Sequence, residues 1–354
     1  MGDLERGSAR SGSRGELATR RARAVAAHAA AAAIALLAAG CTETLDAGSS
    51  HPKGPLPVDE RNPILLFNDN VYDNWQGEYA ALLANGGGPA LAGIVVSTGG
   101  QWTSLDDNIK GWRAFVAAAR AGGLQNIPDP RPSTANPLLV RPASGAIDET
   151  VRNNSEGANL IRTESERLSL PYRPLVVVTG GRLTDVADAY LIDHSVVDRV
   201  VVVSSLGSLT ESGGAMTAPN GEMDRWADTI VTAKFRYVQV SAFYDQTTDV
   251  PASRISDLPP NNSFADWIEA KQSKIFDLPE AADQVAVAAV GIPGFAVEVS
   301  RPSAVGPVDA GATTGPTLVD EPSGPLWLVR QIAGSKATDR FWELLKNPKT
   351  FAAH

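Results

Sequence analysis

An apolar run that breaks at a single step into oxygen-bearing side chains constrains this chain more than any other feature. Ile64-Leu-Leu-Phe67 gives way to Asn68-Asp-Asn70, and Val71-Tyr-Asp-Asn-Trp75 follows. Consecutive apolar residues of this kind suit a strand buried on both faces, as in a parallel sheet. Behind Asp73, the apolar stretch Ala80 to Leu83 suits a helix packing back on that sheet. Asp69, Asp73 and Asn74 then crowd the carboxyl end of the first strand, where open α/β sheets bind ligands. Asn and Asp are also turn formers and N-caps, so a plain strand-to-helix turn explains the same letters.

The pattern repeats along the chain. Strand-like runs over residues 91–97, 175–179, 199–205 and 236–243 alternate with helical patterns over 105–122, 149–168 and 183–194, and near 224–227. Residues 127–139 are Pro-rich and read as irregular, and 206–221 as a long loop rich in Gly, Ser and Thr. Helices are expected over 263–275, 279–290 and 336–345, with short strands around 296–299 and 326–330. This alternation predicts a Rossmann-like, open and mostly parallel sheet flanked by helices, in one domain spanning residues 63–354.

The first 40 residues contain six Arg and three acidic residues, then an Ala-rich apolar run over 29–39 and Gly40-Cys41. A basic region, a short apolar region, small residues and a cysteine have the layout of a bacterial lipoprotein signal, with Leu37-Ala-Ala-Gly-Cys41 similar to a lipobox. The apolar run is well short of the roughly 20 residues that span a bilayer. Cys41 is the only cysteine, so disulfides are excluded and lipid attachment is its expected use. Residues 41–62 read as a flexible tether. The expected location is the cell envelope, on the periplasmic side or surface, lipid-anchored at the outer membrane, with no other membrane contact. Removing residues 1–40 takes +6 − 3 = +3 from the formal charge of −9, leaving −9 − 3 = −12, which argues against a nucleic-acid partner.

Four short stretches carry the remaining chemistry. They are Phe67-Asn-Asp-Asn-Val-Tyr-Asp-Asn74, Thr179-Gly-Gly-Arg-Leu-Thr-Asp185, Glu222-Met-Asp-Arg-Trp-Ala-Asp228, and Ala282-Asp283 before an Ala-rich helix. Individually they read as a turn, a glycine turn between strand and helix, an acidic helix start and a surface acid. Taken in order, over about residues 64–319, they resemble the inosine-uridine-preferring nucleoside hydrolase family.

That resemblance implies a calcium ion held by Asp69, Asn74, the Thr179 carbonyl and Asp283. It makes Asp69 the general base as well, and Asp73, Glu222 and Asp224 the groups that grip the sugar. The family's first motif has carboxylates where Phe67 and Asn74 stand, and a histidine where Ala282 stands. Calcium takes six to eight oxygen ligands, and an amide for a bidentate carboxylate at Asn74 predicts a site that is weak or lost. None of the four histidines, His28, His51, His194 and His354, falls in a motif. Tyr72, Tyr244 or water is left to protonate a departing base, and an aromatic such as Trp226 to stack on it.

Three readings follow. The first is an envelope-anchored N-ribohydrolase cleaving a riboside with metal-activated water. The second is a non-catalytic binder of ribosides, sugars or a protein partner on the same fold. The third is a structural lipoprotein with a vestigial pocket. A small riboside or sugar is the expected partner, and a homo-oligomer is compatible with all three.

Overall fold

The structure is a computed structural model that describes residues 51–72, 74–99, 103–134, 138–205, 209, 219–240, 252–272, 283–300, 304–305, 318–319 and 323–352, with backbone only at 219, 222, 252–253, 304–305 and 318–319. Asp73, Tyr244, Ala282, Cys41 and the expected signal lie outside the described residues.

The strands are β1 (Ile64–Asn68), β2 (Leu91–Val96), β3 (Pro130–Pro132), β4 (Leu175–Thr179), β5 (Val200–Ser205), β6 (Arg236–Val240), β7 (Ala296–Ser300), β8 (Ala304–Val305), β9 (Leu318–Val319) and β10 (Leu326–Ile332). Eight of them make one sheet in the order β3-β2-β1-β4-β5-β6-β10-β7, and β8 pairs with β9 separately. All neighbours in the large sheet are parallel except β7, which runs antiparallel to β10.

The longer helices are α1 (Gln76–Asn85), α2 (Leu105–Ala121), α3 (Glu156–Leu168), α4 (Thr184–Ile192), α5 (Arg225–Lys234), α6 (Ser263–Gln272), α7 (Gln284–Gly291) and α8 (Gly334–Lys346). Strand side chains alternate between two apolar layers, as the period of two requires. Ile64, Leu66, Val176 and Val178 join α1, α2, α6, α7 and α8 on one face, while Leu65, Phe67, Leu175 and Val177 join α3, α4 and α5 on the other. Among the described residues no helix is long and apolar enough to cross a membrane.

Local chemistry moved three expected boundaries. The tether does not reach residue 62, because Leu56 and Val58 are buried in the first layer and the buried Asn62 donates from Nδ2 to the Pro174 carbonyl at 2.7 Å. The helix expected from 149 begins at Glu156, where Asn154 takes a positive φ of 54° and the Ser155 hydroxyl accepts from the Ala158 N–H at 3.3 Å. A positive φ ends any helix arriving from the N-terminal side, and Ser155 caps the new one. The Pro-rich stretch contains β3, an edge strand, where proline's missing donor faces no neighbour.

Candidate functional site at the carboxyl ends of β1 and β4

The strand order reverses direction at β1, which has β2 on one side and β4 on the other. A crevice opens beyond the carboxyl ends of strands at such a point. Phe67 pairs with Thr179, and the Gly180 N–H donates to the Phe67 carbonyl at 2.9 Å, so the first and second motifs meet there. A Cβ on Gly180 would lie 2.2 Å from Asp283 Cγ. Glycine at 180 is therefore what lets Asp283, at the start of α7, close on the turn above β4.

One side of the crevice is a network of amides around Asp283. Asn68 Nδ2 donates to Asp283 Oδ2 at 2.9 Å and to Gln76 Oε1 at 2.5 Å, and Asn74 Nδ2 donates to the same Asp283 oxygen at 3.0 Å. Asn74 Oδ1 is turned to the first turn of α1, where it accepts from the Gln76 N–H at 2.9 Å. Beneath it the wholly buried pair Lys271–Glu78 joins α6 to α1 at 2.8 Å. The Lys271 ammonium also donates to the Asn74 carbonyl and lies 4.6 Å from the Trp75 ring centroid. The segment Asn74–Trp75 that leads into α1 is thus fixed from below by a cation.

The other side gathers acids around one arginine. Asp69 follows β1, and its Oδ1 accepts from the Asn70 N–H at 2.6 Å. Burial raises its pKa, against the lowering effects of that N–H and of the Arg182 charge. Asp224 is the N-cap of α5, taking the Ala227 N–H at 3.1 Å, and its other oxygen accepts from Thr184 Oγ1 at 2.7 Å and the Leu139 N–H at 3.2 Å. Burial raises the Asp224 pKa too. Asp185, fully buried in α4, accepts from Ser133 Oγ at 2.5 Å, and burial pushes its pKa up to about 6 despite that bond. Arg182 stands among the three, and burial lowers its pKa while Asp185, Asp224 and Asp69 raise it.

Of the residues expected at the site, Asp69, Asn74, Thr179 and Asp283 come together at the crevice, and Asp224 borders it through the cap of α5. Asp73 falls outside the described residues, and of Glu222 only the helical backbone is described. Trp226 does not offer a free stacking face: it is buried, its Nε1 donates to Thr150 Oγ1 at 2.9 Å, and the Arg141 guanidinium lies 5.2 Å from its ring. His194, just beyond α4, stacks on the Tyr190 ring at 4.4 Å. The sequence reading missed Asn68, Gln76, Lys271, Arg182 and Asp185. One signal was present for Arg182: the stretch Thr179 to Asp185 is a residue longer than the motif it resembles.

The donor set does not fit a calcium ion. Two N–H groups converge on the Asp283 oxygen, and the Asn74 oxygen is engaged by the backbone of α1. A cation needs lone pairs where these groups present hydrogens. Asn68 Oδ1 is a buried oxygen without a donor, but one such oxygen beside two acids is far from a calcium shell. No group of three or more His, Cys, Asp or Glu able to hold a metal occurs among the described residues.

An inosine-uridine-preferring nucleoside hydrolase from Bacillus anthracis superposes with a TM-score of 0.57 at 15% identity, over 82% of this chain and 100% of that one. The fold is nucleoside hydrolase-like. A purine-preferring ribonucleoside hydrolase from Gardnerella vaginalis gives a TM-score of 0.54 at 16% identity, covering 82% of this chain and 100% of its own. The type III effector XopQ, solved in complex with adenosine diphosphate ribose, gives 0.52 at 14% identity, covering 84% and 95%. No protein-family model matches the chain, and no curated protein does. Identities this low establish the nucleoside hydrolase-like fold and leave activity to the site itself.

Proposed function

We propose that this protein binds a small riboside or related sugar in the crevice between β1 and β4, without calcium. One observation carries the reading: the amides of Asn68 and Asn74 both donate to Asp283, so this corner is a hydrogen-bonded floor. Hydrogen bonds to an ionised, buried carboxylate are strong enough to hold such a floor in shape. Likeness to ribonucleoside hydrolases, and to an effector solved with adenosine diphosphate ribose, supports a ribosyl ligand.

Hydrolysis is the second reading, and Asp69 favours it. Burial raises the pKa of that carboxylate, which makes it a better proton acceptor for a water at the end of β1. Calorimetric titration of wild type with inosine, uridine and ribose in a chelator, beside an assay for free ribose, separates the two. Binding without sugar release is the expected result. Release that persists in chelator makes the protein a hydrolase, and binding that appears only with calcium overturns the metal-free reading.

The sequence pattern around Cys41 supports placing this domain at the cell envelope through a lipid on that residue.

A further inference from the structure

Arg182 is 5% exposed, and its Nε and Nη2 are buried with no hydrogen-bond acceptor. These two nitrogens form one edge of the guanidinium, with parallel N–H bonds that engage two oxygens at once. A buried charged donor left without an acceptor costs more than a neutral one. Three carboxylates act on the same guanidinium by charge, yet other groups engage them. Asp185 takes the Ser133 hydroxyl; Asp224 takes two backbone N–H groups and a threonine hydroxyl.

Backbone position and charge bring Arg182 to the side of Asp69, whose carboxylate is one of the three that act on its guanidinium. Arg182 follows the Thr179–Gly181 turn above β4, and a Cβ on the adjacent Gly181 would lie 3.6 Å from the Asp69 nitrogen. Asp69 Oδ1 takes the Asn70 N–H, while Oδ2 lies over Gly99, where a Cβ would stand 2.8 Å from it. A donor edge of two N–H groups beside a carboxylate suits a group that accepts and donates together. An anionic ligand would meet three carboxylates around one arginine; a neutral hydroxyl would not be repelled.

We propose that Arg182 is the resident cation of this site: its Nε and Nη2 donate to the two oxygens of a vicinal diol on a neutral sugar, and the Asp69 carboxylate accepts a hydrogen bond from one of those hydroxyls. The inference rests on the ribosyl-binding reading and adds a mode of recognition that needs no metal.

The test titrates the full domain, in chelator, with methyl ribofuranoside, its 2-deoxy analogue and inorganic phosphate, in wild type, Arg182→Met and Arg182→Lys. The expected result is binding of the diol by wild type, weakened about tenfold or more by loss of one hydroxyl or by Arg182→Met, the cost of a charge-assisted hydrogen bond. Arg182→Lys, which keeps the charge and loses the fork, is expected to fall between. Wild type binding the riboside with Arg182→Met and Arg182→Lys unaffected would overturn this inference and leave the ribosyl reading standing. Equal affinity for the deoxy analogue, or phosphate bound alone through Arg182, would overturn it as well. No sugar binding by wild type would overturn both. Should Arg182→Met not fold, the Lys variant and the diol comparison on wild type still decide.

Discussion

Asp185 is the residue whose burial has the clearest measurable consequence. Its pKa stands at about 6 in the folded chain against an ordinary 3.8. The folded state therefore binds the proton more tightly than the unfolded state, and stability falls as pH rises across that interval. Below it both states are protonated and nothing is lost. The full rise corresponds to about 3 kcal/mol. Asp185→Asn keeps an oxygen for Ser133 and cannot ionise, so its urea midpoint relative to wild type should climb between about pH 4 and pH 7. A constant difference across that range would contradict the burial argument. Residues of this kind were the hardest to read in the sequence. Nothing in the letters Gly181-Arg-Leu-Thr-Asp185 says that an arginine is buried with two unpaired nitrogens, because burial of a polar group depends on strands far away in the chain. Asp69 and Asp283 were legible only through the order of four motifs, since each acid alone has an ordinary explanation.

Between elements, the Lys271–Glu78 pair fixes α6 against α1 and holds the Asn74 carbonyl as it does so. Removing one partner of a wholly buried pair strands the other charge, at about 3–5 kcal/mol. Lys271→Met alone should therefore lower the unfolding free energy by that amount. Combined with Glu78→Gln, which keeps an oxygen for the Trp267 indole N–H now at 2.7 Å, the loss should be well below the sum of the single variants. Denaturant titration of the two singles and the double closes the cycle, and simple additivity would show that the ions act separately. Element boundaries were less legible than element types. The strands announced themselves because both faces are buried, which writes an unbroken apolar run such as Val176-Val-Val178. The start of α3 depended on one backbone angle at Asn154, and β3 on which side of two prolines meets a neighbour, neither of which leaves a period in the sequence.

Across the described residues, the parallel sheet between two helix layers follows from the strand–helix alternation, and β7, the antiparallel strand of the large sheet, was not foreseen. Its short run over 296–300 carries no mark of direction. The envelope placement also belongs to this scale, since it concerns the chain and its membrane together. Expressed from residue 1, the protein should incorporate labelled palmitate and sediment with membranes. Cys41→Ser should abolish both, and a soluble, unlabelled wild type would refute the lipid anchor. Phe67 has a last consequence, for what this position can be turned into. It is 3% exposed, in the layer shared with Val177 and Leu183, at the place where the resembled motif has a carboxylate. Placing an acid there alone would put an unpaired charge among hydrocarbon, at several kcal/mol. Its apolar neighbours would have to change with it. The aromatic ring works as a lock: while it fills the layer, a carboxylate at this position is more than one substitution away.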